Sequence, residues 1–202
     1  MIAEIGNTRV RLSFSFAATV TLMLYFCDEG VVLTTLSASL FHESGHLLFL
    51  KIFGETPSEI ELSAFGMRIS RPPHSRLSYK KETVVALAGI SFNLLAALLC
   101  SAFSAADKSG ALSLAVPVNI IVAAVNSLPN RHLDAGRAAY YLLSGVMNQE
   151  RAEKILDSVS YTFTLLLFLF WLLFSIFVKI NLSLSAVTLY LALITFKRKV
   201  GK

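Results

Sequence analysis

Six apolar stretches order this sequence, at residues 12–27, 31–50, 83–106, 111–128, 159–178 and 180–196. A helix needs around 20 apolar residues to cross about 30 Å of hydrocarbon. The pattern therefore predicts an all-α polytopic membrane protein of six transmembrane helices, the first and last being short. Between the second and third stretches lies the longest polar segment, 51–82. In it Ile60, Leu62, Met67 and Ile69 alternate with polar residues on either side of Gly66. That period of two reads as a small cytoplasmic β-hairpin, ended by Pro72 and Pro73. The edge of such a hairpin could take an extended peptide by strand addition. Pro129 breaks the fourth stretch, and Asp134 is placed to cap a restarted helix.

Composition agrees with the pattern. Of 202 residues, 55% are hydrophobic and only 15% charged, where soluble domains carry roughly 25% charged residues. Mean hydropathy is +0.66. A soluble domain, a disordered tail and a disulfide scaffold are excluded. Cys27 and Cys100 lack CxxC spacing and read as small apolar residues. The net charge of +5 does not point to nucleic acid, because the basic residues sit between apolar runs and form no basic face with aromatics.

Those basic residues set the orientation instead. With six spans and the N-terminus inside, sixteen of the 18 Lys and Arg residues fall on the inner side; only Lys108 and Lys179 fall outside. The positive-inside rule then places both termini in the cytoplasm of a multi-pass cell-membrane protein. Arg9 and Arg11 precede the first stretch as in a signal peptide, but no small-x-small cleavage site follows, so it reads as a retained span.

The second span holds ionisable groups in Leu40-Phe-His42-Glu43-Ser-Gly45-His46. A charge at mid-bilayer costs roughly 2.5–3.5 kcal/mol, which marks such residues as functional candidates. Residues four apart share a helix face, so His42 and His46 can converge on one ion. Zinc accepts neutral imidazole and keeps a position open in catalytic sites. Glu43 is adjacent and suited to act as general base on water. This is the HExxH metalloprotease pattern. Its bland counterpart is a polar patch satisfied by neighbouring helices. A third ligand is needed, and Asp134, in Asn126-Ser-Leu-Pro-Asn-Arg-His-Leu-Asp134-Ala-Gly136, is the best candidate. It falls at the inner end of the fourth span, as the His pair does in the second. His132 is a weaker candidate ligand, and His74 reads as a solvated loop residue. Gly45 suits either close approach of a substrate backbone or close helix packing.

HExxH on a second span, followed by Asn-x-x-Pro-x-x-x-Leu-Asp-x-Gly on a later one, resembles the site-2 protease family of intramembrane zinc metalloproteases. The resemblance covers 41–137. It implies one Zn2+ per chain held by His42, His46 and Asp134, with Glu43 as the catalytic base and Asn126 positioning substrate. Gly89-Ile-Ser-Phe-Asn93 is similar to the family's Gly-Pro-x-x-Asn element, with Ile90 in place of Pro, and adds Asn93 as a second substrate-positioning candidate. Arg131, His132 and Ala135 depart from the family pattern. The plan is that of a minimal, sporulation-type member, with no room for PDZ or CBS domains. The implied activity is hydrolysis of peptide bonds in membrane-spanning protein substrates, by a single peptidase domain over 1–202 with its catalytic core at about 31–143. The implied partners are that substrate, the lipid bilayer and a regulatory membrane protein, with no nucleic acid.

Two other readings remain open at this stage. Glu153, in Glu153-Lys-Ile-Leu-Asp157, is similar to the Glu-x-x-x-Asp element of CAAX-processing and heat-shock membrane metalloproteases and would replace Asp134. A non-catalytic scaffold or a metal transporter would keep the histidines without hydrolysis.

Overall fold

The chain enters through a β-hairpin that the apolar pattern does not announce. In the computed structural model, which describes residues 2–5, 8–63, 66–72, 77–177 and 182–196, β1 (Ile2–Ile5) pairs antiparallel with β2 (Thr8–Leu12). Helices α1 (Phe14–Phe26) and α2 (Glu29–Ile52) follow. They return the chain to β3 (Glu59–Ser63), which lies parallel to β2 and antiparallel to β4 (Gly66–Ser70). The expected hairpin is therefore one half of a four-stranded sheet of order β1-β2-β3-β4. A parallel pair requires a long crossover, and the two helices supply it. The register sorts the side chains by face. Val10, Ile60 and Ile69 form one apolar row, and Leu12, Leu62 and Met67 another. Arg9 stands beside Glu59, and Arg11, Glu61 and Arg68 stand in line, an arrangement of opposite charges that favours this pairing over a slipped one.

Caps set the helix starts. The Ser13 hydroxyl accepts from the Phe16 amide at 3.2 Å, and the Asp28 carboxylate from the Gly30 amide at 2.8 Å. After β4, Arg71 binds Glu82 at 2.6 Å, tying the strand's end to the first turn of α3 (Tyr79–Phe103). Helix α3 continues through a 3-10 turn, Ser104–Ala106, and α4 (Ala111–Asn126) follows. Asp107 organises that start: its carboxylate accepts from the Ser109 hydroxyl at 2.6 Å and from the Ser109 and Leu112 amides at 2.9 and 2.7 Å. The Ser109 hydroxyl, then the Leu112 amide, hold its pKa below the usual value. A lowered carboxyl pKa adds stability above the unfolded pKa and loses it as pH falls through the folded one. Asp107→Asn is accordingly expected to lower the protection of the Leu112 amide against exchange near neutrality, and the difference in protection from wild type to vanish only in acid.

Helix α5 (Asp134–Ser144) is the restarted helix, α6 (Gln149–Phe177) the longest, and α7 (Leu182–Phe196) the last. Leu133 occupies the N-cap of α5, so Asp134 opens the helix instead of capping it. Seven α-helices are thus present among the described residues, one more than the apolar count, because α5 is too short and polar to register as a span. The apolar stretch 83–106 and the described part of 159–178 lie in the two helices long and apolar enough to cross a membrane, Tyr79–Ala106 and Gln149–Phe177; Phe14–Phe26, Ala111–Asn126 and Leu184–Leu193 are shorter apolar helices. Leu166, Phe170, Ile176 and Phe177 on α6 are exposed. Pro73, His74, Arg76, Lys179, the junction 178–181 and the basic end 197–202 lie outside the described residues.

The chain divides into two compact units, Met1–Ala124 and Val125–Lys202. In the first, α2 packs on α3 through small residues. A Cβ at Gly45 would stand 2.9 Å from the Ala88 carbonyl oxygen and from the Phe92 ring, so close packing explains this glycine. In the second, α6 holds α7 through polar side chains within an apolar setting: the Trp171 indole donates to the Ser185 hydroxyl at 2.8 Å, and the Thr164 and Thr195 hydroxyls meet at 3.3 Å.

Candidate metal centre

His42 and His46 lie one turn apart on α2, both buried, with their Nε2 atoms 3.2 Å from each other. Their other ring nitrogens decide what those atoms can do. His46 Nδ1 lies 2.7 Å from the Val85 carbonyl oxygen, which only accepts, so Nδ1 carries the proton and Nε2 a lone pair. The tautomer of His42 is fixed by a longer chain. The Asn119 amide donates to the Ala115 carbonyl at 2.9 Å, which turns Asn119 Oδ1 towards Asn93. Asn93 Nδ2 donates to that oxygen at 2.8 Å and to the Ala38 carbonyl at 3.0 Å. Asn93 Oδ1 then accepts from His42 Nδ1 at 2.5 Å. In the neutral rings that bind a metal, both Nε2 atoms are therefore acceptors, converging to 3.2 Å. Two imidazole nitrogens converging in this way can meet one cation, and a ligand–imidazole–carbonyl or ligand–imidazole–amide chain is the usual outer support of a metal site.

Space for an ion is provided by α3. At Gly89 a Cβ would lie 2.5 Å from the Nε2 atoms of both histidines. Only glycine leaves the two nitrogens unobstructed on that side. Soft-to-borderline neutral nitrogen donors in a cradle of this kind fit zinc.

Asn93 is fully buried, and its amide is occupied by His42, Ala38 and Asn119. Its place in the structure is behind an imidazole, with no face left for a substrate. The periodicity of α3 could have hinted at this, since Gly89 and Asn93 are four apart and share a face. Asn119 was not singled out by the sequence; a lone Asn in the apolar run 111–128 is the signal that could have found it. Glu43 is half-buried on α2.

In the second unit, Asn126 is the last residue of α4 and is half-buried. Asp134 is buried at the first position of α5, where the helix's positive end favours a carboxylate. The turn before it is tight: the Leu133 amide donates to the Asn130 carbonyl at 2.9 Å. A Cβ at Gly136 would come within 2.0 Å of that same carbonyl oxygen, which is why the Asp-x-Gly spacing needs glycine. Glu153 is engaged by Arg131 at 2.7 Å, so its carboxylate serves an ion pair. The free thiols Cys27 and Cys100 are exposed and half-buried.

No family model matches this chain, and no curated protein matches it. Among solved structures it is similar to the Site-2 Protease from Methanocaldococcus jannaschii, with a TM-score of 0.75 at 17% identity, covering 98% of this chain and 94% of that one. The fold is that of a site-2 protease. The likeness spans nearly the whole of both chains, well beyond the stretch 41–137 that carries the sequence resemblance.

Proposed function

We propose that this chain is a zinc-dependent intramembrane endopeptidase of the site-2 protease family, hydrolysing membrane-spanning protein substrates. The observation that carries the reading is the pair of buried Nε2 lone pairs on His42 and His46, each fixed by a committed Nδ1 proton and backed by Gly89. His42, His46 and Asp134, all buried, would give one ion its two imidazoles and a carboxylate, the donor set of a catalytic zinc with one position to spare. Bound there, zinc supplies Lewis acidity towards the amide carbonyl and water. Glu43, next in sequence to His42, takes the water's proton and returns it to the leaving amine. Asn126 steadies the carbonyl oxygen as charge develops. Asn93 acts through His42, holding its tautomer.

The membrane placement follows the same lines. The pairing of β2 with β3 brings the chain back to one sheet after α1 and α2, which supports a pair of spans that leave and return to one side of the bilayer. That sheet carries Arg9, Arg11 and Arg68, and under the positive-inside rule these charges support a cytoplasmic side for it and, with the Lys and Arg distribution of the sequence, for both termini. The bilayer delivers the substrate, and the whole chain acts as one peptidase domain.

Zinc content of purified wild type, His46→Ala and Asp134→Ala in mild detergent tests the reading. One zinc per chain is expected in wild type, with none retained by the variants after dialysis against a weak chelator. A folded wild type without zinc, or full zinc in Asp134→Ala, would overturn it.

A further inference from the structure

Arg131 and His132 stand where the resemblance leads one to expect apolar residues, and Arg131 has the more elaborate surroundings. On α6, the polar residues Glu153, Asp157, Ser160 and Thr164 recur at spacings of four, three and four, which puts them on one helix face. Each meets the segment that precedes Asp134. Arg131 Nη2 lies 2.7 Å from Glu153 and Nη1 2.8 Å from Asp157. The Arg131 amide donates to the Ser160 hydroxyl at 2.8 Å. Asn130 Nδ2 donates to Thr195 on α7 at 2.7 Å and reaches Thr164 at 3.4 Å. The Asn130 side-chain oxygen accepts from the His132 amide at 3.0 Å. The guanidinium also lies over the Tyr140 ring of α5, 5.7 Å from its centre. Burial draws the Arg131 pKa down, but the Asp157 and Glu153 carboxylates outweigh it and raise the value.

Isolated ion pairs on an open surface contribute little. This guanidinium is forked between two carboxylates, its side chain only 20% exposed, and the planar fork fixes direction as well as charge. Asn130 is fully buried. Three residues after Arg131 comes Asp134. We propose that Arg131 is a positioning residue, and that the polar face of α6 clamps the 130–133 turn through it so that the Asp134 carboxylate is held in a single orientation. What that orientation serves rests on the metalloprotease reading; the clamp itself does not. A ligand must be held within about 0.5 Å of its working geometry, and the turn's own backbone bonds are few.

Arg131→Met and Arg131→Lys are compared with wild type by amide exchange of the metal-free proteins, zinc affinity by chelator competition, and the visible spectrum of bound cobalt(II). Arg131→Met is expected to speed exchange at His132 and Leu133 at least tenfold while leaving α2 and α3 unchanged. It should weaken zinc by about 10–100-fold, as loss of an outer support does, and alter the cobalt spectrum. Arg131→Lys should recover part of each effect, since one bond of the fork survives. If Arg131→Met does not fold, Glu153→Gln takes its place with the same expectation at smaller size. Unchanged exchange at 132–133 overturns the clamp. Faster exchange with unchanged zinc affinity and cobalt spectrum overturns the positioning role and leaves a structural tie. If wild type itself binds no zinc, the metalloprotease reading fails, and the exchange comparison still decides the clamp.

Discussion

Glu43→Gln is expected to bind zinc as tightly as wild type and to cleave a membrane-spanning substrate about 10²–10⁴-fold more slowly, the range attributed to a positioned general acid–base. The amide keeps the size and shape of the carboxylate in its half-buried place on α2, so the helix and the two imidazoles stay where they are. What it lacks is the capacity to accept a proton from water and hand it on. The measurement is single-turnover cleavage in liposomes, with zinc content determined on the same preparations. Cleavage at the wild-type rate would remove Glu43 from the mechanism. Zinc flux through the liposomes that persists in Glu43→Gln, without any proteolysis, would favour the transporter reading.

What the sequence made legible was whatever the bilayer or the metal constrains sharply. His42, Glu43 and His46 stand out because an apolar helix has no other reason to carry them. The hairpin Glu59–Ser63 and Gly66–Ser70 was visible in the alternation around Gly66. The other half of the sheet was not, although Gly6-Asn7 between two alternating runs is a hairpin signal. In the sequence Arg9 and Arg11 read as flanking charges of a span, while in the structure they are β2 residues with Glu59 and Glu61 beside them. Parallel pairing of strands separated by two helices is a long-range choice that no local pattern encodes. Helix α5 escaped an apolar count because only one of its faces is apolar, and Asp134 moved from cap to first helical position because Leu133 supplied the extended backbone that a cap requires. The roles of the polar residues inside spans were the least legible. Asn93, Asn119, Ser160 and Thr164 look alike in sequence, as isolated polar groups in apolar runs. The structure separates two that orient His42 from two that meet the segment before Asp134.

Gly89→Ala is expected to fold and to lose zinc. Within α3 the exchange of Gly for Ala is favourable by up to about 1 kcal/mol, so the helix itself is not weakened. The added methyl would sit 2.5 Å from the Nε2 atoms of His42 and His46 and 2.6 Å from His42 Cε1, inside the 3.0 Å that real Cβ contacts essentially never cross. Ring ends are often free to swing away from such a clash. These are not, because His42 is pinned through Nδ1 to Asn93 and His46 through Nδ1 to the Val85 carbonyl. Rotating either ring breaks a buried hydrogen bond and strands its partner, and leaving both in place blocks the nitrogens. The loss in zinc affinity should therefore exceed the roughly 10–100-fold attached to an outer-support residue. Gly45→Ala is the contrasting case: its methyl would meet the Ala88 backbone and Phe92, pushing α2 from α3 and lowering the melting temperature along with zinc content. Thermal unfolding and zinc content measured together on the two variants distinguish a blocked nitrogen pair from a displaced helix. Zinc retained at wild-type affinity in a folded Gly89→Ala protein would mean that the ion does not approach the histidines from the α3 side, and that the lone-pair argument for the site has to be abandoned.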